Sequence, residues 1–400
     1  MKSKTYSVAL LLVALISWNP TNAQDSLWVR KYQFGIYNQY DLRNSSLNGI
    51  TTHRILHDAF RKGIKPKMNE KLGNVSYGVF SFAATYLTLI WSHEFGHSLR
   101  AKQVGGNFNI HNVALPIPYT TMHLPENINL VDEALSVTAG FEVNYISVRS
   151  LQREFILQNG SFNEDLAFSF ANRLMYPLYV SVIIPADPED KDVWINTAGD
   201  PIHVALPVFK NYSGNQVFMA DSTVNPKLVT LYKQSALLSI LFNLADPQLY
   251  REVGASFGDV NKTRRPIFII GDFNHGWTYG TLFNVSPLGY ELYLNNYVHL
   301  QGNQLSVYVK YGKPFKNNGL GLIWNDLIQT NNISVSTGVE LWDQDLFGKG
   351  FLGEVNLKIK LSERVGLLLY AGYKTNGYVL GKQIEKGFNY GASICYKAKY

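Results

Sequence analysis

The sequence of 400 residues contains little cysteine and little charge. Its single cysteine, Cys395, excludes an internal disulfide. Charged residues make up 16% of the chain and form no Lys/Arg cluster, and no RNA-binding aromatic motif accompanies them, so we predict no nucleic-acid partner. No apolar run reaches the roughly 20 uninterrupted residues of an ordinary membrane-spanning helix. We therefore expect the apolar helices to form a protein core, while contact with lipid stays open.

Residues 1–23 have the pattern of a secretory signal. Lys2 and Lys4 precede an apolar stretch at residues 8–16, and a polar region ends at Ala23, before Gln24. The apolar stretch is too short to span a membrane as a mature helix. No cysteine follows the signal, so we predict no lipid anchor. Without Lys2 and Lys4, the 36 basic residues fall to 34 against 30 acidic ones, which leaves a mildly basic exported chain.

The most informative stretch for chemistry is residues 79–104, which contains the sequence HEFGH at positions 93–97. There is no proline between residues 73 and 115, and residues 79–91 carry no charge, so this stretch is predicted to be a buried helix. Helical residues four apart share a face, so His93 and His97 can both reach one metal ion. Glu94 would then lie beside a metal-bound water as general base. The pattern predicts a zinc hydrolase, with a solvated surface turn as the alternative.

A second pair of histidines has the same spacing but lacks the glutamate. His53 and His57 occur in the sequence HRILH, inside a basic amphipathic segment at residues 51–62 that Gly63 would end. We predict a solvated helix face there, not a metal site.

The stretch HEFGHSLRAKQVGGNFNIHNVALPIP, residues 93–118, resembles the site-2-protease family of metallopeptidases. That family has HExGH, then a small and a basic residue, then a glycine and a hairpin. Its GxxxN element is matched by Gly140 and Asn144. The resemblance implies a zinc peptidase whose third metal ligand is an aspartate in a late motif. Asp246 in FNLADP is the nearest candidate, although the family's glycine and spacing are not kept.

Glu142 is another candidate for the third zinc ligand. It lies 45 positions after His97 in a helical stretch that is otherwise nearly uncharged. A glutamate from a downstream helix is the third ligand in the gluzincins, which this arrangement also resembles. A buried carboxylate needs a cation or hydrogen-bond donors, so the alternative is an ion pair with a basic residue such as Arg149. Three other histidines are predicted to be structural: His111, His123 and His203.

The chain divides at about residue 272. Residues 24–272 are predicted to form a mostly helical metallopeptidase-like domain, with helices at 130–157, 168–184 and 229–245. Residues 187–199 are predicted to be a loop. The prolines and alternation of residues 107–124 indicate an irregular hairpin that could offer an edge to an extended peptide.

Residues 273–400 change to a period of two. Leu305, Val307 and Val309 alternate with polar neighbours, and similar patterns begin at Ile333 and Val355. The last strand ends on an aromatic residue, Tyr400, which resembles the C-terminal signal of bacterial outer-membrane proteins. We predict roughly eight antiparallel strands, about the minimum for a membrane barrel. A soluble sandwich with its apolar face inward is the alternative.

The fold class is therefore α+β, and three functions stay open. The first is a zinc peptidase at the periplasmic face of the bacterial outer membrane, acting on protein or peptide substrates through His93, Glu94, His97 and a third carboxylate. The second is a non-catalytic outer-membrane barrel, for transport or structure, with a degenerate or structural metal site. The third is a peptidase of the inner membrane.

Overall fold

The computed structural model describes residues 29–38, 40–111, 119–183, 226–256, 263–300 and 303–399. These residues form a helical part and a ten-stranded antiparallel sheet, which confirms the α+β prediction. The predicted signal, the loop at 187–199, His203 and Tyr400 lie outside the described residues.

The helices are numbered in chain order, and α1 continues into a π-helical turn at Phe60–Ile64. Their bounds are α1 Arg43–Ala59, α2 Glu70–Gln103, α3 Leu130–Leu157, α4 Asn163–Ile183, α5 Pro226–Leu244 and α6 Leu249–Ser256. Helices α2 and α3 begin at asparagine caps, since the side chain of Asn69 accepts from the Leu72 amide and that of Asn129 from the Val131 amide. The bounds predicted for α3 are confirmed.

The large sheet uses strands from both ends of the chain. The short strands outside it or at its edge are β2 Asn107–His111, β3 Tyr119–His123, β4 Ser161–Phe162, β5 Thr263–Arg264 and β6 Ile270–Gly271. The long strands are β1 Val29–Tyr37, β7 His275–Ser286, β8 Gly289–Leu300, β9 Asn303–Pro314, β10 Asn317–Gln329, β11 Ile333–Gln344, β12 Gly348–Lys360, β13 Val365–Lys374 and β14 Gly387–Lys399. Their order is β1-β14-β13-β12-β11-β10-β9-β8-β7-β6, so sequence neighbours pair from β6 to β14 and β1 adds beside β14.

The apolar face of the sheet points away from the helices. Val309 on β9, Val355 on β12 and Ile394 on β14 are 46%, 46% and 60% exposed. Their strand neighbours Tyr308 and Cys395 are buried on the opposite face. A soluble sandwich would bury the apolar face, so this orientation fits an outer-membrane barrel region.

The inner face of the sheet packs on helix α3. Phe141, Val143 and Ile146 of this helix share one buried cluster with Phe283 of β7 and Tyr308 of β9. Helix α3 is buried without interruption from residue 134 to residue 148, which makes it the central element of the helical part.

Helix α2 has an apolar face that the other residues described by the structure leave uncovered. Among the described helices it alone is long and apolar enough to cross a membrane, and only 28% of its most apolar stretch is buried. Val75, Val79 and Phe82 on this helix are each more than half exposed. The outer part of α2 therefore differs from a helix of a soluble core.

Candidate metal centre

The HEFGH segment lies on α2 at a close crossing with α3. Two glycines allow the approach. A Cβ placed on Gly96 would lie 2.7 Å from Val143 Cγ2 and 2.8 Å from the carbonyl oxygen of Ala139. A Cβ on Gly140 would lie 2.3 Å from Nε2 of His93. The glycine of the GxxxN element therefore faces the first histidine of the motif.

The two imidazoles are buried side by side, with ring centroids 4.9 Å apart. Nδ1 of His93 lies 2.8 Å from Oδ1 of Asn144, and Nδ1 of His97 lies 2.9 Å from the carbonyl oxygen of Ser136. A carbonyl oxygen can only accept, so Nδ1 of His97 carries a proton and donates. In a neutral ring this tautomer presents the lone pair on Nε2, the form in which a histidine binds a metal.

A second asparagine fixes the acceptor of His93. Nδ2 of Asn144 donates to Oδ1 of Asn172 over 2.9 Å, and Nδ2 of Asn172 donates to the Phe168 carbonyl over 2.8 Å. This chain turns Oδ1 of Asn144 toward His93, so Nδ1 of His93 donates as well. Sequence reasoning missed Asn172, although an asparagine in the apolar stretch FSFANRL of α4 is a signal that could have found it.

The predicted hairpin lies beside the motif. Strands β2 and β3 pair antiparallel, and Oγ1 of Thr120 on β3 donates to the Glu94 carbonyl oxygen over 3.2 Å. Glu94 is half-buried, whereas both histidines are buried. Two of the spare histidines, His111 and His123, lie at opposite ends of this hairpin: His111 pairs with and stacks on Tyr119, and His123 pairs with Asn107.

The structure does not bring Glu142 to the histidines. Both of its carboxylate oxygens lie 3.3 Å from Nη2 of Arg100, and the Gly381 amide donates to it. Burial raises the pKa of Glu142, and the charge of Arg100 opposes that rise. The reason is helical geometry. Gly140 of α3 faces His93, and Glu142, two positions later, is rotated by about 200° around the helix axis and so points away from the histidines. The basic partner is Arg100 rather than the expected Arg149.

Asp246 also has a structural position. It follows α5 and accepts hydrogen bonds from Arg173, Gln152 and the Thr281 amide, at 2.8, 2.7 and 2.9 Å. It thus ties three helices to strand β7. The carboxylate is buried and fully engaged by donors, which accounts for its position without a metal.

His93 and His97 are the described residues that would bind a zinc ion. A Cβ on Gly140 would lie 2.3, 2.5 and 2.6 Å from Nε2, Cδ2 and Cε1 of His93, so the absence of a side chain lets the His93 ring pack against the backbone of α3. Within the ranges that the structure describes, no three His, Cys, Asp or Glu side chains form a group that could hold a metal. The residues fit zinc through the two imidazoles, and the third ligand stays a prediction.

The second histidine pair contradicts the sequence interpretation. His53 and His57 are fully buried rather than solvated, with ring centroids 4.3 Å apart. Nε2 of His53 lies 3.3 Å from the carbonyl oxygen of Glu164, and Nδ1 of His57 lies 2.7 Å from the Tyr77 hydroxyl. Burial lowers the pKa of His53 to about 4 and that of His57 to about 2. The basic face of α1 is buried because carboxylates from α4 accept its charges: Arg54 lies 3.0 Å from Asp165.

Comparisons with known proteins add little to this geometry. No protein-family model matches the chain, and no curated protein matches it. One solved structure, the outer-membrane expressed OmpT of Vibrio cholerae, is similar to 32% of the chain at 10% identity, with a TM-score of 0.24. The similar region covers 53% of that structure, about half its length. The interpretation of the sheet therefore rests on its own strand pattern.

Proposed function

We propose that this chain is a zinc-dependent peptidase of the bacterial outer membrane. His93 and His97 would bind the ion through Nε2, and a further protein ligand would complete the site. The observation that carries the proposal is the orientation of the two rings. Each Nδ1 donates to a fixed acceptor on α3, which supports an arrangement in which Nε2 of each ring would bind the ion at one helix crossing.

Zinc would supply Lewis acidity and lower the pKa of a water molecule at the site. The chain's own residues would supply the rest. Glu94 would take the proton of the attacking water and return it to the departing amine. The hairpin β2–β3 packs beside Glu94, and an extended peptide could pair with its edge. The outward apolar face of the sheet supports the membrane part of the proposal.

Replacement of the proposed base tests the catalytic claim. Glu94→Gln removes the proton acceptor and keeps the size of the side chain, so we expect zinc content to stay the same. Peptide hydrolysis should fall by about 10²–10⁴-fold. Both properties are measured on one preparation in detergent, with Glu133→Gln as a matched control on α3. Activity of Glu94→Gln equal to that of the unchanged protein would contradict the claim.

A second candidate is a non-catalytic outer-membrane protein with a structural histidine pair. It is favoured by the ion pairs of the two candidate third ligands, since Glu142 faces Arg100 and Asp246 faces Arg173. This alternative predicts no stoichiometric zinc, and it predicts that His93→Ala folds normally.

A further inference from the structure

A cavity of about 150 Å³ lies between helix α3 and the inner face of strands β9 to β12. It is separate from the histidine crossing, and the proposed reaction does not use it. Its charged lining is mostly basic and comes from α1, α3, two strands and the segment after β13. These residues are Arg43, Arg149, Arg153, Lys382, Glu340 and Glu354.

Some of these charges are paired with each other or with near neighbours. Arg43 and Lys382 share Asp41, at 2.6 and 3.2 Å. Glu340 accepts from Lys310 over 3.2 Å and from the Tyr308 hydroxyl over 2.5 Å. Asp41 therefore pairs with two cations, Arg43 and Lys382. Glu340 forms a one-to-one ion pair with Lys310.

Arg149 and Arg153 are different. They are four residues apart on α3, so they face the cavity from one side of the helix. The Arg149 guanidinium lies 4.2 Å from the centre of the Tyr308 ring, and Arg153 donates to Oδ1 of Asn325. Within the described residues neither arginine has a carboxylate within 4 Å, and Glu354 has no cation within that distance.

The charge balance points to an anion. Four cationic side chains line the cavity, Arg43, Arg149, Arg153 and Lys382, against two carboxylates, Glu340 and Glu354. The charges of Lys382, Arg43 and Arg153 interact with that of Glu354, so this carboxylate offsets part of the positive charge, and the lining keeps an excess of cationic side chains. A volume of roughly 10–15 Å³ of this kind holds one water, so the cavity has room for an oxyanion with some water.

We propose that this cavity binds a phosphate group, either as inorganic phosphate or as a small phosphate monoester. Two guanidinium forks on one helix face suit the paired oxygens of phosphate, and its double charge matches the excess of two. Glu354 lies across the cavity and opposes a bound anion, which keeps the site reversible.

Isothermal titration of the full chain in detergent with inorganic phosphate tests the site. We expect saturable binding with one site per chain. Arg149→Gln and Arg153→Gln should each weaken it by about 10–100-fold, since a hydrogen bond to a charged group contributes about 1.5–3 kcal/mol. Glu354→Gln should tighten binding several-fold, because it removes a like charge. Arg364→Gln, in the turn between β12 and β13, is the control and should leave binding unchanged.

Titration with glycerol phosphate distinguishes the two sources of the group. Tighter binding of the monoester assigns the cavity to an esterified phosphate, and binding of inorganic phosphate alone assigns it to the free ion. The proposal is overturned if the folded protein shows no saturable binding, or if acetate binds as tightly as phosphate. If the arginine variants do not fold, Glu354→Gln decides, and unchanged or weaker binding in that variant contradicts the site.

Discussion

Four histidines in this protein form two pairs with the same spacing, and the groups around each ring separate their roles. His93 and His97 donate through Nδ1 to fixed oxygens on α3. His53 instead uses Nε2 toward a carbonyl oxygen and stacks on Phe168, with ring centroids 4.3 Å apart. The first pair has the ring orientation that we propose for metal binding, and the second pair packs as core residues. Sequence spacing alone predicts neither arrangement, because each depends on which helix supplies the acceptors.

The buried second pair makes stability sensitive to acid. His53 has a pKa of about 4 in the folded protein and 6.5 in a model peptide, so below pH 6.5 the unfolded chain binds more protons. The folded state should therefore lose stability as pH falls from 6.5 to 4, by about 3 kcal/mol from this residue. Urea unfolding at several pH values measures it. His53→Gln should show a shallower pH dependence, and an unchanged slope would argue against this assignment.

Other residue contacts show why the third ligand could not be predicted. Glu142 was recognisable as a buried carboxylate that needs a partner. The sequence suggested Arg149 as its ion-pair partner, but the crossing of α2 and α3 places Arg100 beside Glu142 instead. Arg149 instead faces Tyr308 across the cavity. The choice depends on the rotation of α3 about its axis, which single-helix periodicity does not fix relative to another helix.

At the scale of elements, the crossing of α2 and α3 organises the helical part. The bounds of α3 were predictable from its long apolar pattern between an asparagine cap and a polar end. The start of α1 was predicted too late, at residue 51 rather than Arg43, because its first turns are polar and become buried only against β1 and α2. Ser45 illustrates this, since its hydroxyl donates to the Ser92 carbonyl oxygen over 2.7 Å.

Gly140 tests the crossing directly. The methyl carbon added by Gly140→Ala would lie 2.3 Å from Nε2 of His93, so the ring or the helix must move. We expect a loss of about 1–3 kcal/mol in unfolding free energy together with a loss of zinc binding. Gly78→Ala on α2 is the matched control, because its Cβ would meet no atom within 4 Å, and helix propensity favours the alanine. Equal behaviour of the two variants would rule out the close contact.

At the scale of the whole molecule, the sheet combines both ends of the chain. The eight strands predicted after residue 272 are β7 to β14, and their alternation gave the outward face correctly. Strand β1 was missed. Its pairing with β14 is not encoded in the local pattern of residues 29–37 but in a partner more than 350 positions away. A strand pairing across this sequence separation can be recognised only from the topology of the folded chain.

A charge on the outer face tests whether that face meets lipid. Val355 lies in the middle of β12 and is 46% exposed. Val355→Arg should lower the free energy of unfolding in phospholipid vesicles by about 2–4 kcal/mol. Asn331→Arg, in the exposed turn between β10 and β11, should have little effect. If both arginines are tolerated equally, the outer face does not lie in a membrane.

The central claim is that His93 and His97 hold a zinc ion. The most direct measurement is the metal content of the protein purified from membranes without a histidine tag, by elemental analysis. We predict one zinc per chain in the unchanged protein and in His123→Ala, and its loss in His93→Ala and His97→Ala while the circular dichroism spectrum is retained. Absence of stoichiometric zinc from the unchanged, folded protein would contradict the account.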